Sequence, residues 1–425
     1  MAVLLNMMMM NKNKQSPLFS LITVMLFDHT SLNITFPVLT LLFFDLQSSL
    51  FTPDTPTAVR SMWYGYCIAL PHLINLITTP FLSMWSDEFG RKKILLLGTF
   101  GAFLFAFTAA VGIVGGMLSW VFLGRLIQGA FSRTNPIAQA VIGDISTPQQ
   151  KIIRMGYLQT AISIGAFVGP IIGGYFAHSF LFSTLNFSLP YWIAALFALI
   201  SWLLTIVLFK ETLVVNTFSK SPKLFNLSQL KHLFFQPKVS IISLILLFSQ
   251  MSWSLYYQFI PPILKNVFYF NAHQLGVFIG FIALWLALAT AFGIKALQHR
   301  LTAYQLLKIA LYLVFFGLVF SCFYCLWYTP DKGSLVMWLT AIPIATGDVI
   351  AYSCLISFYS NAVSHYDQGK VMGICFCVVA ITWAATGLCG GWLMAKHIVL
   401  PLIIAPLGIL FAIRLMPQLT RQSLI

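Results

Sequence analysis

Long apolar runs broken by short polar stretches recur along the whole chain, at a spacing that predicts helices over 18–44, 61–82, 94–116, 118–142, 155–178 and 190–209. After a polar interval, the same pattern predicts 239–262, 273–294, 308–328, 335–358, 371–394 and 398–416. A run of about 20 apolar residues crosses a hydrocarbon core, and a helix satisfies its own backbone there. The expected fold class is therefore all-α, a polytopic membrane protein with twelve transmembrane helices in two six-helix halves. The organisation reads as a cytoplasmic lead over 1–17, a first half over 18–209, a central loop over 210–238, a second half over 239–416 and a tail over 417–425. The central loop holds Glu211, five lysines, Pro222 and Pro237. Its segment from Asn226 to Phe235 has the alternation of a short amphipathic helix lying on a membrane surface.

Composition agrees with that pattern. The chain is 59% hydrophobic and 8% charged, against about 25% charged residues in a soluble domain. A net charge of +14 raises the question of nucleic acid, but its distribution answers it. With the amino terminus placed in the cytoplasm, 17 of the 24 Lys and Arg fall in cytoplasmic segments and four in outer ones; Arg125, Arg133 and Arg414 lie within helices. That asymmetry is the positive-inside signal and puts both termini inside, with contact to anionic lipid as a secondary effect. The seven cysteines fall inside expected spans, where they act as small apolar residues. Cys322 and Cys325 have metal-like spacing but no partnering His or Cys.

The fifth segment carries an unusual set of small residues: Gly156, Gly165, Gly169-Pro170 and Gly173-Gly174. Positions 165, 169 and 173 form one smooth helical stripe along which another backbone can approach closely. Pro170 removes an amide and predicts a bend near that turn. This pattern resembles the antiporter motif on helix five of proton-coupled exporters in the major facilitator superfamily, and the stripe is expected to pack against the opposite half. An offset of 217 carries Met155-Gly156 onto Met372-Gly373 and Gly173-Gly174 onto Gly390-Gly391. The later copy has Thr386 and Gly387 in place of Gly169 and Pro170. Such pseudo-symmetric halves are what the resemblance implies, with a solute site between repeats near the midplane.

Further motifs extend the resemblance. Asp87, Gly90, Arg91 and Lys92 match the superfamily's loop motif between helices two and three, with Ser83 in place of its first glycine and Glu88 in place of an arginine. Gly90 permits the tight turn. The resemblance implies that Asp87 and Arg91 gate the cytoplasmic side, a helix amino terminus being a natural partner for the aspartate. On helix four, Arg125, Gln128 and Gly129 resemble an R-x-x-Q-G motif whose arginine is linked to proton coupling. An intramembrane guanidinium costs at least about 2.5 kcal/mol and should be paired. Snorkelling of Arg125 to the outer surface is the structural alternative.

Asp28 and Asp348 are the acids well inside spans. Both sit on helices that the resemblance assigns to the cavity wall, and Asp28 resembles the helix-one aspartate of tetracycline-type exporters. They are the expected proton-coupling groups, together with Arg125. Asn33, Gln128, Gln258, Tyr257 and Trp253 are candidate solute contacts, with Gln250 and Tyr256 beside them; the aromatic residues fit a lipid interface equally well. Arg133 departs from the family pattern. It stands eight residues after Arg125, about 80° away around a helix, and suggests an anionic or zwitterionic solute such as a carboxylate siderophore, held by bidentate arginine contact.

No phosphate-binding loop, metal cluster or nucleophile elbow is found in the sequence. The expectation is not an enzyme but a monomeric exporter of a bacterial inner membrane. Its partners would be lipid, protons and a small solute, and its energy source the proton gradient, with no cofactor. A nutrient importer on the same fold and an exporter of lipophilic cations are the alternatives.

Overall fold

A computed structural model describes residues 17–131, 134–177, 187–213, 233–297, 300–327, 333–363 and 368–421. Among these residues every regular element is helical. Eleven helices are long and apolar enough to cross a membrane. The fourth expected span is present as two shorter helices, Leu118–Phe131 and Thr134–Ile145. The helices, numbered as spans in chain order, follow the expected segments with several differences at their ends. Span two, Thr57–Phe89, and span seven, Pro237–Val267, overrun the apolar windows 61–82 and 239–262, because helical hydrogen bonding continues into the polar ends. Span eight runs as Ala272–Leu288, passes through a π-helical turn at Ala289–Gly293, and resumes as Ile294–Leu297. The last helix, Leu400–Arg421, continues past 416 into the expected tail. Most of the lead, and residues 214–232 of the central loop with most of the expected surface helix, lie outside the described residues.

Local chemistry sets several helix starts. Asn271 with Gln274 and Thr302 with Gln305 form capping boxes that satisfy orphan amides at the starts of spans eight and nine. Pro148 and Pro237 begin spans five and seven, where a missing N–H costs nothing. Span nine, Ala303–Leu326, shows how a spanning helix divides its faces. Ile309, Tyr312, Leu313, Phe316, Phe320 and Phe323 are exposed, while Leu307, Ala310, Leu311, Val314, Leu318 and Ser321 are buried. An exposed aromatic stripe of this kind fits a lipid-facing side.

The chain divides into two compact units: residues 1–39 with 77–222, and residues 40–76 with 223–425. One boundary, between residues 222 and 223, falls in the central loop, and two more, within spans one and two, assign residues 40–76 to the second unit. In the first unit, Leu21, Met25, Leu95, Val141, Ile142, Leu158 and Phe209 form an apolar core drawn from spans one (Pro17–Phe44), three (Arg91–Val114), four and five (Pro148–Phe176) and the residues just past span six (Leu189–Val207). In the second, the first part of span two packs on span eleven, Gln368–Lys396, with almost no side chain between them. A Cβ on Gly65 would stand 2.6 Å from the Gly387 carbonyl oxygen and 2.7 Å from the Gly391 Cα. The Tyr64 hydroxyl also donates to the Gln258 carbonyl at 2.9 Å.

Candidate functional site

In the first unit, the glycine stripe of span five lies against span one. A Cβ on Gly165 would come within 2.8 Å of the Thr30 amide nitrogen, and one on Gly169 within 2.8 Å of both Asn33 Cβ and the Thr30 carbonyl oxygen. At Gly173 the Ile34 carbonyl leaves no room at all. The close partner is thus span one within the same unit, which corrects the expectation that the stripe closes on the opposite half. Pro170 is carried inside one continuous helix, Pro148–Phe176. The lost hydrogen bond does not divide it.

The segment that the stripe covers begins just after Asp28. This carboxyl is wholly buried. Its Oδ2 accepts a 2.6 Å hydrogen bond from the Thr134 hydroxyl, and its Oδ1 has no hydrogen-bond partner among the described residues. Thr134 is itself buried and begins the second helix of span four. Gly98 makes the space for it: a Cβ there would lie 2.9 Å from Thr134 Cγ2. Neither Thr134 nor Gly98 was among the expected site residues.

Arg125 differs from expectation. Its guanidinium donates to Gln128 Oε1 at 2.7 Å and lies over the Phe105 ring, 5.6 Å from the centroid. It enters no ion pair among the described residues. An amide oxygen and an aromatic face replace the acid, and both suit a guanidinium. Gln128 is thereby engaged within its own helix. Asn33 likewise turns its amide back to the His29 carbonyl at 2.7 Å. Arg133, on which the expected solute charge rests, lies outside the described residues.

The second unit builds a different site around Asp348 on span ten, Leu335–Ala362. Gln250 Nε2 donates to Asp348 Oδ1 at 3.3 Å, and Trp383 Nε1 donates to Gln250 Oε1 at 3.2 Å. The backbone carbonyl of Trp383 accepts from Gln258 Nε2 at 3.2 Å. The Trp383 ring approaches Tyr257 at 6.1 Å and His72 at 5.3 Å between centroids, and Tyr257 stacks on Trp253 at 5.3 Å. The structure therefore brings Gln258, Tyr257 and Trp253 together with Asp348 and adds Trp383 and His72, which sequence reasoning missed.

At the loop between spans two and three, Gly90 adopts φ 103° and ψ 152°, a conformation open to glycine. Arg91 donates to Asp144 Oδ2 and to Ser86 Oγ, each at 2.9 Å, and pairs with Asp87 at 2.5 Å. The acid at the helix amino terminus is not Asp87 but Glu211. Its two oxygens accept from the backbone N–H groups of Arg91 and Lys92, each at 3.0 Å. Burial pushes the Glu211 carboxyl up, but backbone N–H bonds from Leu213, Lys92, Arg91 and Thr212 outweigh burial and hold it below its ordinary range.

At the opposite end of the spans, Lys265 pairs with Asp45 at 2.6 Å. The buried Arg60 donates to the carbonyls of Thr52 at 2.7 Å and Thr55 at 3.1 Å, fixing the connection between spans one and two.

Eleven helices long and apolar enough to span a membrane, with buried carboxyls and glycine-lined close approaches between helices, define a polytopic membrane protein. The family model of the Major Facilitator Superfamily matches residues 19–387, and the chain belongs to that family. It is 32% identical over 175 residues to the class B tetracycline resistance protein of Escherichia coli, covering 38% of this chain and 40% of that protein. It is 31% identical over 153 residues to multidrug resistance protein 2 of Bacillus subtilis, covering 36% of each. The matches thus span about two fifths of the length of these curated relatives. Among solved structures, a D-xylose–proton symporter superposes with a TM-score of 0.70 at 15% identity, covering 94% of this chain and 96% of that one. The human organic anion transporter MFSD10 superposes with a TM-score of 0.64 at 17% identity, covering 94% and 98%. At these identities the likeness is one of fold.

Proposed function

We propose that this chain exports a small organic solute across a bacterial inner membrane in exchange for protons, by alternating access. The observation that carries the reading is the seating of the antiporter-like stripe, Gly165, Gly169 and Gly173, on the stretch of span one that follows the buried Asp28. A proton on Asp28 removes a buried charge, and its loss restores one, just before the stretch of span one on which span five closes. Small changes in that packing would then be felt by the carboxyl, and the reverse. The names of the bacterial relatives, resistance proteins for tetracycline and for multiple drugs, support outward transport. The proton gradient is the energy source in this reading, and no cofactor takes part.

An anionic or zwitterionic solute is the proposed charge class, on the strength of Arg133 in the sequence alone. Tetracycline, which carries both acidic and amine groups, is a suitable first probe. In everted vesicles with an acidified interior, tetracycline should accumulate, and a protonophore should abolish the accumulation. Uptake into right-side-out vesicles driven by an inward proton gradient would instead identify an importer. Flux indifferent to the gradient in either orientation would overturn the proton-coupled reading.

A further inference from the structure

Asp348 has a partner arrangement that the export reading does not use. The Trp383 indole N–H can only donate, so the Gln250 oxygen must face it and the Gln250 NH₂ must face Asp348. The observed contacts, 3.2 Å and 3.3 Å, obey that polarity. The orientation of one amide thus satisfies a carboxylate on span ten and an indole on span eleven together. Gln250 is 5% exposed and Asp348 is 8% exposed, so water does little to relieve a mismatch at either end.

We propose that Gln250 is a positioning residue that makes the placement of the Trp383 ring depend on whether Asp348 carries a proton. With Asp348 ionised, its charge strengthens the bond from the amide NH₂ and fixes the amide oxygen toward Trp383. A proton taken up by the Asp348 carboxylate removes that charge and creates an O–H donor. The new donor competes with the Trp383 N–H for the single Gln250 oxygen, and a turned amide would set its NH₂ against the indole N–H. Either outcome loosens the ring. The Trp383 ring is one member of an aromatic group with Tyr257, Trp253 and His72, so the proton on Asp348 acts on the packing of that group.

Gln250 supplies the side-chain hydrogen bond to Asp348, and Tyr352, one turn along span ten, is a further titratable group that interacts with it. Span nine meets span ten at Gly347 through Ala310, Leu313 and Val314. Span eight, with its π turn, contributes no charged side chain between Gln274 and Gly293. Span eleven brings Cys375, which hydrogen-bonds Tyr352, and span seven brings Ser243, which accepts from Tyr359 at 2.8 Å. No ion pair reaches Asp348 among the described residues.

The inference rests on the proton-coupled reading, and its test separates the two. The full-length protein in lipid nanodiscs is labelled at its 11 tryptophans, and the Trp383 indole resonance is assigned by its absence from Trp383→Phe. In wild type this resonance should move as the medium is taken from neutral to acid. Asp348→Asn keeps an acceptor for the amide but cannot take up a proton, so the resonance should hold its neutral-pH position throughout. Gln250→Leu should place it at a second position that is also independent of pH. A wild-type resonance that does not move, or one that moves equally in either variant, would overturn the relay. Absence of proton-driven tetracycline flux alongside an intact Trp383 titration would remove the export reading and leave the relay standing.

Discussion

The two intramembrane aspartates sit in opposite kinds of surroundings. Asp28 has one hydroxyl partner, Thr134, and is packed beside helix backbones brought close by glycine. Asp348 has an amide partner that leads to an indole and an aromatic group. A hydroxyl can donate or accept by turning one bond, so Asp28 can gain or lose a proton with little rearrangement around it. Asp348 cannot change state without disturbing the amide and the ring behind it. The difference suggests a division of labour, with Asp28 handling the proton and Asp348 conveying a protonation state to the aromatic group around Trp383.

The most severe way to break this comparison is to separate span five from span one. Gly169→Leu places a side chain where even a Cβ would stand 2.8 Å from Asn33 Cβ and the Thr30 carbonyl. Overpacking typically costs about 1–3 kcal/mol. Export should be lost or become leaky, both with and without a proton gradient, while the protein still reaches the membrane; vesicle flux and surface expression check this. Normal coupling and kinetics would reduce the stripe to passive packing.

A subtler change acts on the Asp28 site alone. Gly98→Ala should push Thr134 away from Asp28, because the new methyl meets Thr134 Cγ2 at 2.9 Å. Proton-driven flux should fall and its pH dependence should shift. Adding Thr134→Ser removes the clashing methyl and keeps the hydroxyl, so the double variant should recover. A recovery equivalent to about 0.5–3 kcal/mol of coupling is the range expected for residues in contact. Equal defects in the single and double variants would show that Thr134 is not the affected group.

Smaller effects belong to the membrane ends. Glu211→Ala should cost about 1 kcal/mol, the usual value of a lost helix cap, with Glu211→Gln costing less, as read by thermal unfolding in detergent. Since folding holds the Glu211 carboxyl below its ordinary value of 4.5, its contribution is full above that value. The contribution is lost as the pH falls through the lower, folded one. The difference between wild type and Glu211→Ala should therefore persist at neutral pH and shrink only in acid. Asp45→Asn and Lys265→Met should each cost under about 1 kcal/mol, since the pair is partly exposed. A charge exchange between the two positions should restore most of that loss.

Sequence spacing made the spans readable, because apolar length alone decides what crosses lipid. It also exposed the glycine stripe, whose four-residue repeat is a property of one helix. The contacts that build the site were hidden for a physical reason: they join distant parts of the chain. Thr134 meets Asp28 across 106 positions, Glu211 meets Arg91 across 120, and Trp383 meets Gln250 across 133. Arg125 is the instructive case within a single helix. Its charge argued for an acid, yet Gln128 lies three residues on, where side chains share a face. The R-x-x-Q spacing already contained the partner that the structure shows.

Asp28 is the residue proposed to carry the transported proton. The most direct measurement sets two fluxes of the same probe side by side in vesicles containing Asp28→Asn: tetracycline accumulation driven by a proton gradient, and tetracycline exchange at equal pH on both sides. Driven accumulation should fall to background while exchange persists, because the neutral side chain still permits the conformational cycle but cannot link it to the gradient. Undiminished proton-driven accumulation in Asp28→Asn would contradict that role.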